Sequence, residues 1–363
     1  MSLNSTFTIQ SHTKNRMEQQ FLIVGQGIAG SLLAYNMHKA GMNFKIISSL
    51  DLRKASDVAA GLFNPLVFKR LTKSWMVDEC LPVMFDTYRE LEQVLGHSFL
   101  HDMDIIKPLA ENEIDMWKER KQQEDFSNYI SDVGINNYGK GINDFHSYGR
   151  VTNSGYLHLS KMLKKMRKFF KQEGVLIDSY FDYKDLGFID NQITWHGVQA
   201  KTIVFCEGYR ATDNPYFTKV KFSPTKGELI EIECEGLQEE FILNKNLFVM
   251  PVGKQRFKVG ATYDWKNIDE DTTDEAKQDL LSRLDKMISL PYKVINHWAG
   301  VRPTVSDRRP ILGVHPLHEH IAIFNGLGTK GVMLAPYFAR EMVRFLSVND
   351  YPIMPEVDIK RFL

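Results

Sequence analysis

Residues 20–48 have the sequence QFLIVGQGIAGSLLAYNMHKAGMNFKIIS. The short apolar run at 21–24 predicts a buried strand, and a second such run follows at 44–47. Between them, apolar residues recur at helical spacing as far as Gly41, which predicts a helix that ends there. The turn Gly25-Gln26-Gly27-Ile28-Ala29-Gly30 joins the first strand to this helix, and the whole unit occupies about thirty residues. The spacing therefore predicts a strand–helix–strand unit that binds a dinucleotide.

Each glycine of this turn has a separate predicted role. Gly25 makes the tight turn, Gly27 lets the backbone approach a pyrophosphate, and Gly30 lets the helix pack closely on the strand. With Ile28 and Ala29, they bring the N–H groups of the helix N-terminus to the phosphates, whose negative charge the helix dipole favours. We therefore expect these five residues to bind the cofactor.

The acidic residue that binds a ribose hydroxyl at the end of the second strand of such units is absent. Ser48 occupies its position, and Ser49 follows. A serine offers a hydrogen bond but no charged, bidentate contact. A serine with Arg53 and Lys54 nearby would also suit a 2′-phosphate. We expect Ser48 and Ser49 to contact the cofactor, and this stretch alone leaves FAD, NAD and NADP open.

The composition is that of an ordinary globular protein. The chain has 363 residues, of which 43% are hydrophobic and 25% charged, and its 45 basic and 45 acidic residues cancel. This balance argues against a protein whose whole surface binds nucleic acid. The three widely spaced cysteines indicate a reducing compartment without a disulfide framework. No apolar run reaches membrane-spanning length, so we expect a cytoplasmic protein. The wide spacing of the cysteines also predicts that the protein holds no metal.

Patterns typical of a parallel sheet are separated along the chain by a block of antiparallel strand patterns. We therefore predict an α/β fold, in which a Rossmann-like domain is intertwined with a second, α+β domain built on an antiparallel sheet. The Rossmann-like, cofactor-binding domain comprises residues 17–75, 150–215 and 298–363. The substrate domain comprises residues 76–149 and 216–297.

Two charged segments stand out in the middle of the chain. The helix predicted at 155–173 has one apolar face and one basic face, which is typical of a core helix with a solvated outer side. An RNA or membrane contact is the alternative. The acidic residues at 264–274 predict a solvated loop. The basic residues of the helix are Lys161, Lys164, Lys165, Arg167, Lys168 and Lys171.

The C-terminal block repeats the arrangement of the first turn. Residues 320–325 predict a buried strand, residues 326–331 form a glycine-rich turn, and a helical pattern follows with Pro336 inside it. Because proline disrupts a helix interior, we expect an early kink or a late start of this helix. Two helix N-termini aimed at a ligand suit a large, extended cofactor.

These features together resemble the FAD-dependent D-amino-acid oxidase (DAO) family, most closely its members of the glycine oxidase and sarcosine oxidase type. The resemblance spans most of the chain in order, and the C-terminal block is its most specific part. It implies a two-domain fold, in which one domain holds FAD and a large antiparallel sheet carries the substrate site. The matching segments are 25–30, 59–65, 204–208, 225–228 and 299–336.

The resemblance also implies further site residues. Arg302 matches the arginine that binds the substrate carboxylate, next to the cofactor. Lys330 lies in the turn whose helix end faces the flavin pyrimidine edge, and Arg302 and Lys330 are our candidate catalytic residues. Phe248 and Tyr263 are expected in the substrate site, with Phe248 replacing a tyrosine of glycine oxidase. Further cofactor contacts are expected at Ala60, Gly61, Gly208, Gly328, Thr329, Gly331 and Val332.

The implied reaction is the oxidation of a small amine or amino acid. The substrate loses a hydride to flavin N5, and the imine then hydrolyses. The electron acceptor is O2 or another carrier. Members of the family that bind flavin covalently use a cysteine near the C-terminal block, whereas Cys234 is the last cysteine here. We therefore expect non-covalent FAD.

Other functions remain open at this point. A tRNA-modifying FAD oxidase that acts on carboxymethylaminomethyl-uridine would share the fold and could use the basic helix. An NADP-dependent reductase would use Ser48 and Arg53, and a flavin-binding protein without catalysis is suggested by Phe248. Two candidate residues have structural alternatives: Arg302 could form an ion pair with Asp307, and Lys330 could point to solvent.

Overall fold

The computed structural model describes residues 19–135, 141–143 and 145–362, so that positions 17 and 18 of the predicted Rossmann-like domain lie outside it. Within these ranges, no helix is both long and apolar enough to cross a membrane. The helices are α1 (Ile28–Lys39), α2 (Ala55–Val58), α3 (Val77–Leu95), α4 (Ile114–Gln122), α5 (Glu124–Ser127), α6 (Leu159–Gln172), α7 (Asp274–Leu284) and α8 (Gly331–Ser347). The strands are β1 (Gln19–Val24), β2 (Phe44–Ile47), β3 (Leu62–Phe63), β4 (Leu66–Val67), β5 (Thr72–Lys73), β6 (Leu100–Asp102), β7 (Ile105–Leu109), β8 (Ile130–Gly134), β9 (Ser147–Val151), β10 (Gly155–Leu157), β11 (Leu176–Ile177), β12 (Gly187–Ile189), β13 (Gln192–Trp195), β14 (Val198–Phe205), β15 (Thr225–Glu233), β16 (Ile242–Asn244), β17 (Phe248–Gly253), β18 (Arg256–Gly260), β19 (Lys293–Arg302), β20 (Ile311–His315) and β21 (His318–Asn325).

A mostly parallel sheet forms the core of the Rossmann-like domain. Its order begins β11-β2-β1-β14, with all four strands parallel. The C-terminal half of β14 then pairs in parallel with β21, and its N-terminal half pairs with the antiparallel hairpin β13–β12. Successive residues of β1, such as Leu22 and Ile23, are both fully buried because the sheet is covered on both faces. The predicted unit of β1, α1 and β2 is confirmed.

A second, mainly antiparallel sheet has the order β19-β15-β18-β17-β16-β7-β9-β8. Its one parallel pair among these strands is β16 with β7. The predicted block of antiparallel strands is therefore confirmed. Helix α7 packs on this sheet, and the Thr273 hydroxyl caps its first turn by accepting a hydrogen bond from Ala276 N–H at 3.2 Å. Strand β19 runs across the predicted domain boundary at residue 298 and ends at Arg302.

Helix α8 contains Pro336 but begins at Gly331, which excludes the late start, one of the two predicted alternatives. A proline has no N–H, and the carbonyl of Val332, four residues earlier, therefore lacks its normal helical partner. The buried hydroxyl of Tyr88 donates to this carbonyl at 2.7 Å. Without such a partner, a buried carbonyl costs about 1–3 kcal/mol. Helix α3 thus supplies the hydrogen bond that lets α8 continue through its proline.

The helix predicted at 155–173 is shorter than expected, because its first residues form a strand. Strand β10 lies between β3 and β6 and is antiparallel to both, and α6 begins only at Leu159. Gly155 has a φ of +153°, and a Cβ at this position would overlap the carbonyl oxygen of His101. The strands that pair with β10 come from other parts of the chain, and helical periodicity cannot reveal such a pairing.

The basic face of α6 is also not wholly solvated, contrary to the prediction. The Arg167 guanidinium donates to Gln26 Oε1 at 3.2 Å and to the Ser48 carbonyl at 3.0 Å, and it forms an ion pair with Asp178 at 2.7 Å. Lys161 donates to the Ser98 carbonyl at 2.9 Å. Arg167 therefore fixes α6 to the glycine turn and to the end of β2.

The acidic segment at 264–274 likewise contributes to structure rather than forming only a solvated loop. Asp269 pairs with the buried Lys226 amino group at 2.6 Å. Glu270 is itself buried and lies 3.1 Å from Arg210 and 3.5 Å from Arg53. The Lys226 pair fixes the loop to β15 of the second sheet, and the two arginine pairs connect it to the Rossmann-like domain.

Candidate functional site

A cavity of about 540 Å³ lies between the two sheets. One wall comes from the Rossmann-like domain: the first turn of α1, residues 59–64, the exit of β14 and the turn before α8. The other wall comes from the second sheet and includes Phe248, Tyr263 and Arg302. All of the predicted site residues line this cavity except Gly30. The fold thus brings together the candidates that the sequence distributes over distant segments.

Gly25 and Gly30 are glycines because the protein itself leaves no space for a side chain. Gly25 has a φ of +100°, and a Cβ there would lie 2.5 Å from the Cys206 carbonyl oxygen. A Cβ on Gly30 would overlap the Gly25 carbonyl oxygen and approach the Cys206 Cβ at 3.2 Å. Gly30 therefore lies behind the cavity and lets the first turn of α1 pack against Gly25 and Cys206, which follow β1 and β14.

Gly27 differs, because no described residue leaves too little space for a side chain at this position. Its φ of −79° is open to any residue. An added Cβ would meet only Ser56 Oγ, at 3.6 Å, and would otherwise point into the cavity. The space in front of the α1 N-terminus is therefore free for a ligand. A pyrophosphate fits this space, because helix N–H groups and the helix dipole favour an anion there.

Ser48 and Ser49 line the cavity at the end of β2. The Ser49 hydroxyl accepts the Asp51 N–H at 3.0 Å. Arg53, which an NADP phosphate would need, instead forms ion pairs with Glu270 and Asp271 at 3.5 and 3.1 Å. The arginine expected to select NADP is therefore already compensated by carboxylates.

Arg302 is a partly buried cation at the end of β19 that has no carboxylate partner among the described residues. Its guanidinium donates to the carbonyls of Lys226 and Thr262, each at 3.2 Å, and lies 4.4 Å from the Tyr263 ring centre. Burial lowers the pKa of this guanidinium. The alternative ion pair with Asp307 is not formed, because Asp307 pairs with Arg361 at 2.8 Å.

Gly227 makes room for this arginine. It lies on the neighbouring strand β15, opposite Gly300, which is two residues before Arg302 on β19. A Cβ at 227 would overlap the Arg302 guanidinium. The guanidinium is therefore held flat against the sheet by its neighbours on β15. Such a fixed, planar guanidinium can donate two parallel hydrogen bonds to a carboxylate.

Phe248 and Tyr263 both line the cavity on the side of the second sheet. Phe248 begins β17, and its ring would lie 3.0 Å from a Cβ placed on Gly260 of the next strand. The Phe248 ring provides an apolar wall without a hydroxyl. The Tyr263 ring lies beneath the Arg302 guanidinium and supplies a cation–π contact.

Lys330 lies in the glycine turn directly before α8 and points inward rather than to solvent. Its amino group donates to Ser74 Oγ at 2.6 Å and approaches the Asn64 carbonyl at 3.4 Å. Burial lowers the pKa of this amino group from 10.5 to about 8. A second cation without a carboxylate partner in the described part of the chain therefore lies at the cavity, beside the N-terminus of α8.

Among the cavity residues that were not predicted from the sequence, Ser56 and Glu207 make polar contacts that bear on the site. Ser56 Oγ accepts the Ile28 N–H at 3.3 Å and borders the space in front of Gly27. Glu207 accepts hydrogen bonds from Tyr183 at 2.6 Å and Asn214 at 2.8 Å, yet burial raises the pKa of its carboxyl to about 7. The position of Glu207 between a buried strand and a glycine was a usable signal, whereas Ser56 had none.

Comparisons with known proteins agree with this geometry. Residues 20–345 match the family model described as FAD dependent oxidoreductase (DAO). A glycine oxidase of Bacillus licheniformis is 25% identical, over 92% of this chain and 94% of that protein. The tRNA 5-methylaminomethyl-2-thiouridine biosynthesis bifunctional protein of Legionella pneumophila is 23% identical over 82% of this chain, which spans only 46% of that protein.

A solved structure gives the same result for the fold. The crystal structure of glycine oxidase from Bacillus cereus superposes with a TM-score of 0.78 at 16% identity, over 91% of this chain and 97% of that chain. This family is FAD dependent, which resolves the choice of cofactor that the glycine fingerprint left open. Because the family model matches residues 20–345, most of the chain, the protein belongs to the FAD dependent oxidoreductase (DAO) family.

Proposed function

We propose that this oxidoreductase acts on a small primary or secondary amine that carries a carboxylate. The observation that supports this substrate is Arg302, a partly buried cation that lines the cavity and, among the described residues, has only carbonyl and ring partners. Burying an uncompensated charge is costly, and proteins usually retain such charges where a ligand completes them. The glycine oxidases among the relatives carry in their name a substrate of this class.

Arg302 and Phe248 then have complementary roles in binding. Arg302 accepts the carboxylate in a bidentate pair, which fixes the position of the neighbouring carbon. Phe248 supplies an apolar wall but no hydroxyl, so the carboxylate has one contact fewer than a tyrosine would allow. A hydrogen bond to a charged group contributes about 1.5–3 kcal/mol. We therefore expect modest affinity for the smallest amino acids.

The chemistry requires little acid–base machinery from the protein. Bound FAD supplies the hydride acceptor. The substrate must bind as the neutral amine, so that its nitrogen lone pair can form the C=N bond as the hydride leaves the neighbouring carbon. The imine then hydrolyses, and O2 or another carrier regenerates the cofactor. Lys330, cationic at neutral pH, offsets the negative charge that the transferred hydride brings to the site.

Lys330→Met is expected to stabilise the FAD-free protein at pH 7 by about 1–3 kcal/mol. Below pH 8 the folded protein bears the full cost of a buried ammonium. Between pH 8 and 10.5 the unfolded chain binds this proton more tightly than the folded protein, so wild-type stability rises with pH. The advantage of the variant should therefore shrink across this window. Urea unfolding of both FAD-free proteins at pH 7 and pH 10 measures the difference.

A structural lysine would give the opposite result. If the Ser74 hydrogen bond made Lys330 stabilising, the methionine variant would be less stable at pH 7. Lys69 has an exposed side chain outside the cavity, so Lys69→Met provides a matched control that should show no pH-dependent difference.

The proposed function is tested by anaerobic bleaching of the bound flavin. We expect at least one of sarcosine, glycine, proline and D-alanine to reduce the flavin, and the matching methyl ester to do so far more slowly. Undermodified tRNA belongs in the same series. Reduction by tRNA alone, removed by charge reversal at Lys164, Lys165 and Lys168, would overturn the small-molecule assignment.

A further inference from the structure

Two large aromatic rings are exposed where the cavity opens to solvent. Tyr263 is 56% exposed and lines the cavity, and Trp265 is 61% exposed just beyond it. Their ring centres are 5.9 Å apart, and the rings are within 21° of parallel. We call Tyr263 and Trp265 the aromatic platform. Apolar surface of this kind beside a cavity is typical of a binding site.

The platform is held in place by the residue between its two rings. Asp264 N–H donates to the Lys226 carbonyl at 3.0 Å, and the Lys226 N–H donates to the Asp264 carbonyl at 2.9 Å. The Asp264 carboxylate accepts the N–H of Lys266 at 2.7 Å and the side-chain amide of Asn267 at 2.9 Å. Because alternate residues of an extended segment point the same way, this pairing holds both rings on one face.

The same backbone segment also holds the proposed carboxylate site. The Lys226 carbonyl, which accepts from Asp264, accepts from the Arg302 guanidinium at 3.2 Å as well. The Tyr263 ring centre lies 4.4 Å from the Arg302 guanidinium and 5.9 Å from the Trp265 ring centre. The Lys226 side chain ties the far end of the loop through Asp269 at 2.6 Å. The anion site and the platform therefore share one rigid frame.

From this arrangement, and building on the proposed function, we propose that the aromatic platform is a substrate subsite for an aryl group. The substrate class is a carboxylate-bearing amine whose nitrogen or side chain carries an aromatic ring. Its carboxylate binds Arg302, its amine lies in the cavity, and its ring stacks on Trp265 at the mouth. Trp265 is thereby a specificity-determining residue. Preordered rings bind such a group with little entropic cost.

N-methylglycine and N-benzylglycine form a matched pair of probes, since they differ only in the ring. The wild-type protein should have a higher kcat/KM for N-benzylglycine. Trp265→Ala should lower the ratio of the two kcat/KM values by about three- to tenfold, the usual contribution of one aromatic pair. Trp265→Phe, which keeps a ring, should largely restore the ratio. Phe188→Ala removes an equally exposed ring that does not line the cavity and should leave the ratio unchanged.

Binding without turnover gives an independent measurement. Phenylacetate should bind the FAD-loaded protein more tightly than acetate, as followed by the change in flavin absorbance, and Trp265→Ala should abolish this preference. Equal ratios in wild type and Trp265→Ala, with amines still oxidised, would overturn the aryl subsite alone. Failure of every amine and both acids would overturn the proposed function as well. Flavin reduction by undermodified tRNA alone, lost in Trp265→Ala, would assign the platform to a nucleobase and overturn the small-molecule subsite.

Discussion

Gly27→Val protein is expected to purify colourless, with FAD affinity reduced at least about a hundredfold. The valine side chain would occupy the space in front of the α1 N-terminus, where the pyrophosphate fits. Losing two charge-assisted hydrogen bonds at about 1.5 kcal/mol each costs about 3 kcal/mol, which is more than a hundredfold in affinity. Absorbance of the purified protein and titration of the FAD-free protein with FAD measure the effect.

The fold of this variant should survive, which makes the prediction specific. At residue 27 the φ of −79° suits valine, and the nearest atom to its Cβ is Ser56 Oγ at 3.6 Å. FAD-free Gly27→Val should therefore unfold at about the same urea concentration as FAD-free wild type. Gly30→Ala is the contrasting variant, because its Cβ would overlap the Gly25 carbonyl oxygen and should destabilise the fold itself.

Two outcomes would contradict this assignment. A yellow Gly27→Val protein with normal affinity would mean that the pyrophosphate does not lie against the turn. A Gly27→Val protein that fails to fold, while Gly30→Ala folds normally, would mean that the space at residue 27 is needed by the chain rather than by the ligand.

Much of the Rossmann-like domain could be predicted because its signals are local. The buried run of β1, the glycine turn and the period of α1 lie within one continuous stretch, and each follows from neighbouring residues. The turn before α8 was recognised for the same reason. The candidate site could be assembled from sequence only through the family resemblance, since its two walls come from distant segments.

The errors fall where distant partners decide the structure. Arg167 has the spacing of a solvated helix residue, but Gln26 and Ser48 occupy its guanidinium. Glu270 belongs to an acidic run that looks like a solvated loop, but it is buried against Arg53 and Arg210. A single sequence contains no local signal for such pairs. Charge patterning describes which residues are polar, and tertiary contacts decide which of them are buried.

The need for Gly227 shows the same limit inside the site. Residue 227 must be a glycine because a Cβ there would overlap the Arg302 guanidinium on the adjacent strand. Both residues lie in segments that resemble the family, but nothing in the sequence indicates that they lie against each other in the fold. Gly227→Ala should therefore act by displacing Arg302, and it connects the sheet register to the anion site.

Arg302→Met should lower kcat/KM for a carboxylate-bearing amine by about a hundred- to ten-thousandfold. A bidentate pair contains two charge-assisted hydrogen bonds, each contributing about 1.5–3 kcal/mol, and methionine keeps neither. The corresponding amide has no carboxylate to lose, so its kcat/KM should change far less. Arg302→Lys keeps the charge but not the planar fork, so its kcat/KM for the acid should lie between those of the wild type and Arg302→Met. Anaerobic flavin reduction of the wild type and both variants, each with the acid and with its amide, measures these effects.

Arg361→Met is the matched control for this last prediction. Arg361 is also a largely buried arginine, but it pairs with Asp307 at 2.8 Å and does not line the cavity. It should change stability without changing the ratio of kcat/KM for acid and amide. Among the described residues, Arg302 has only carbonyl and ring partners. Its replacement should therefore strongly change the ratio of kcat/KM for acid and amide. If acid and amide lose the same factor in Arg302→Met, the guanidinium orders the site without binding a carboxylate.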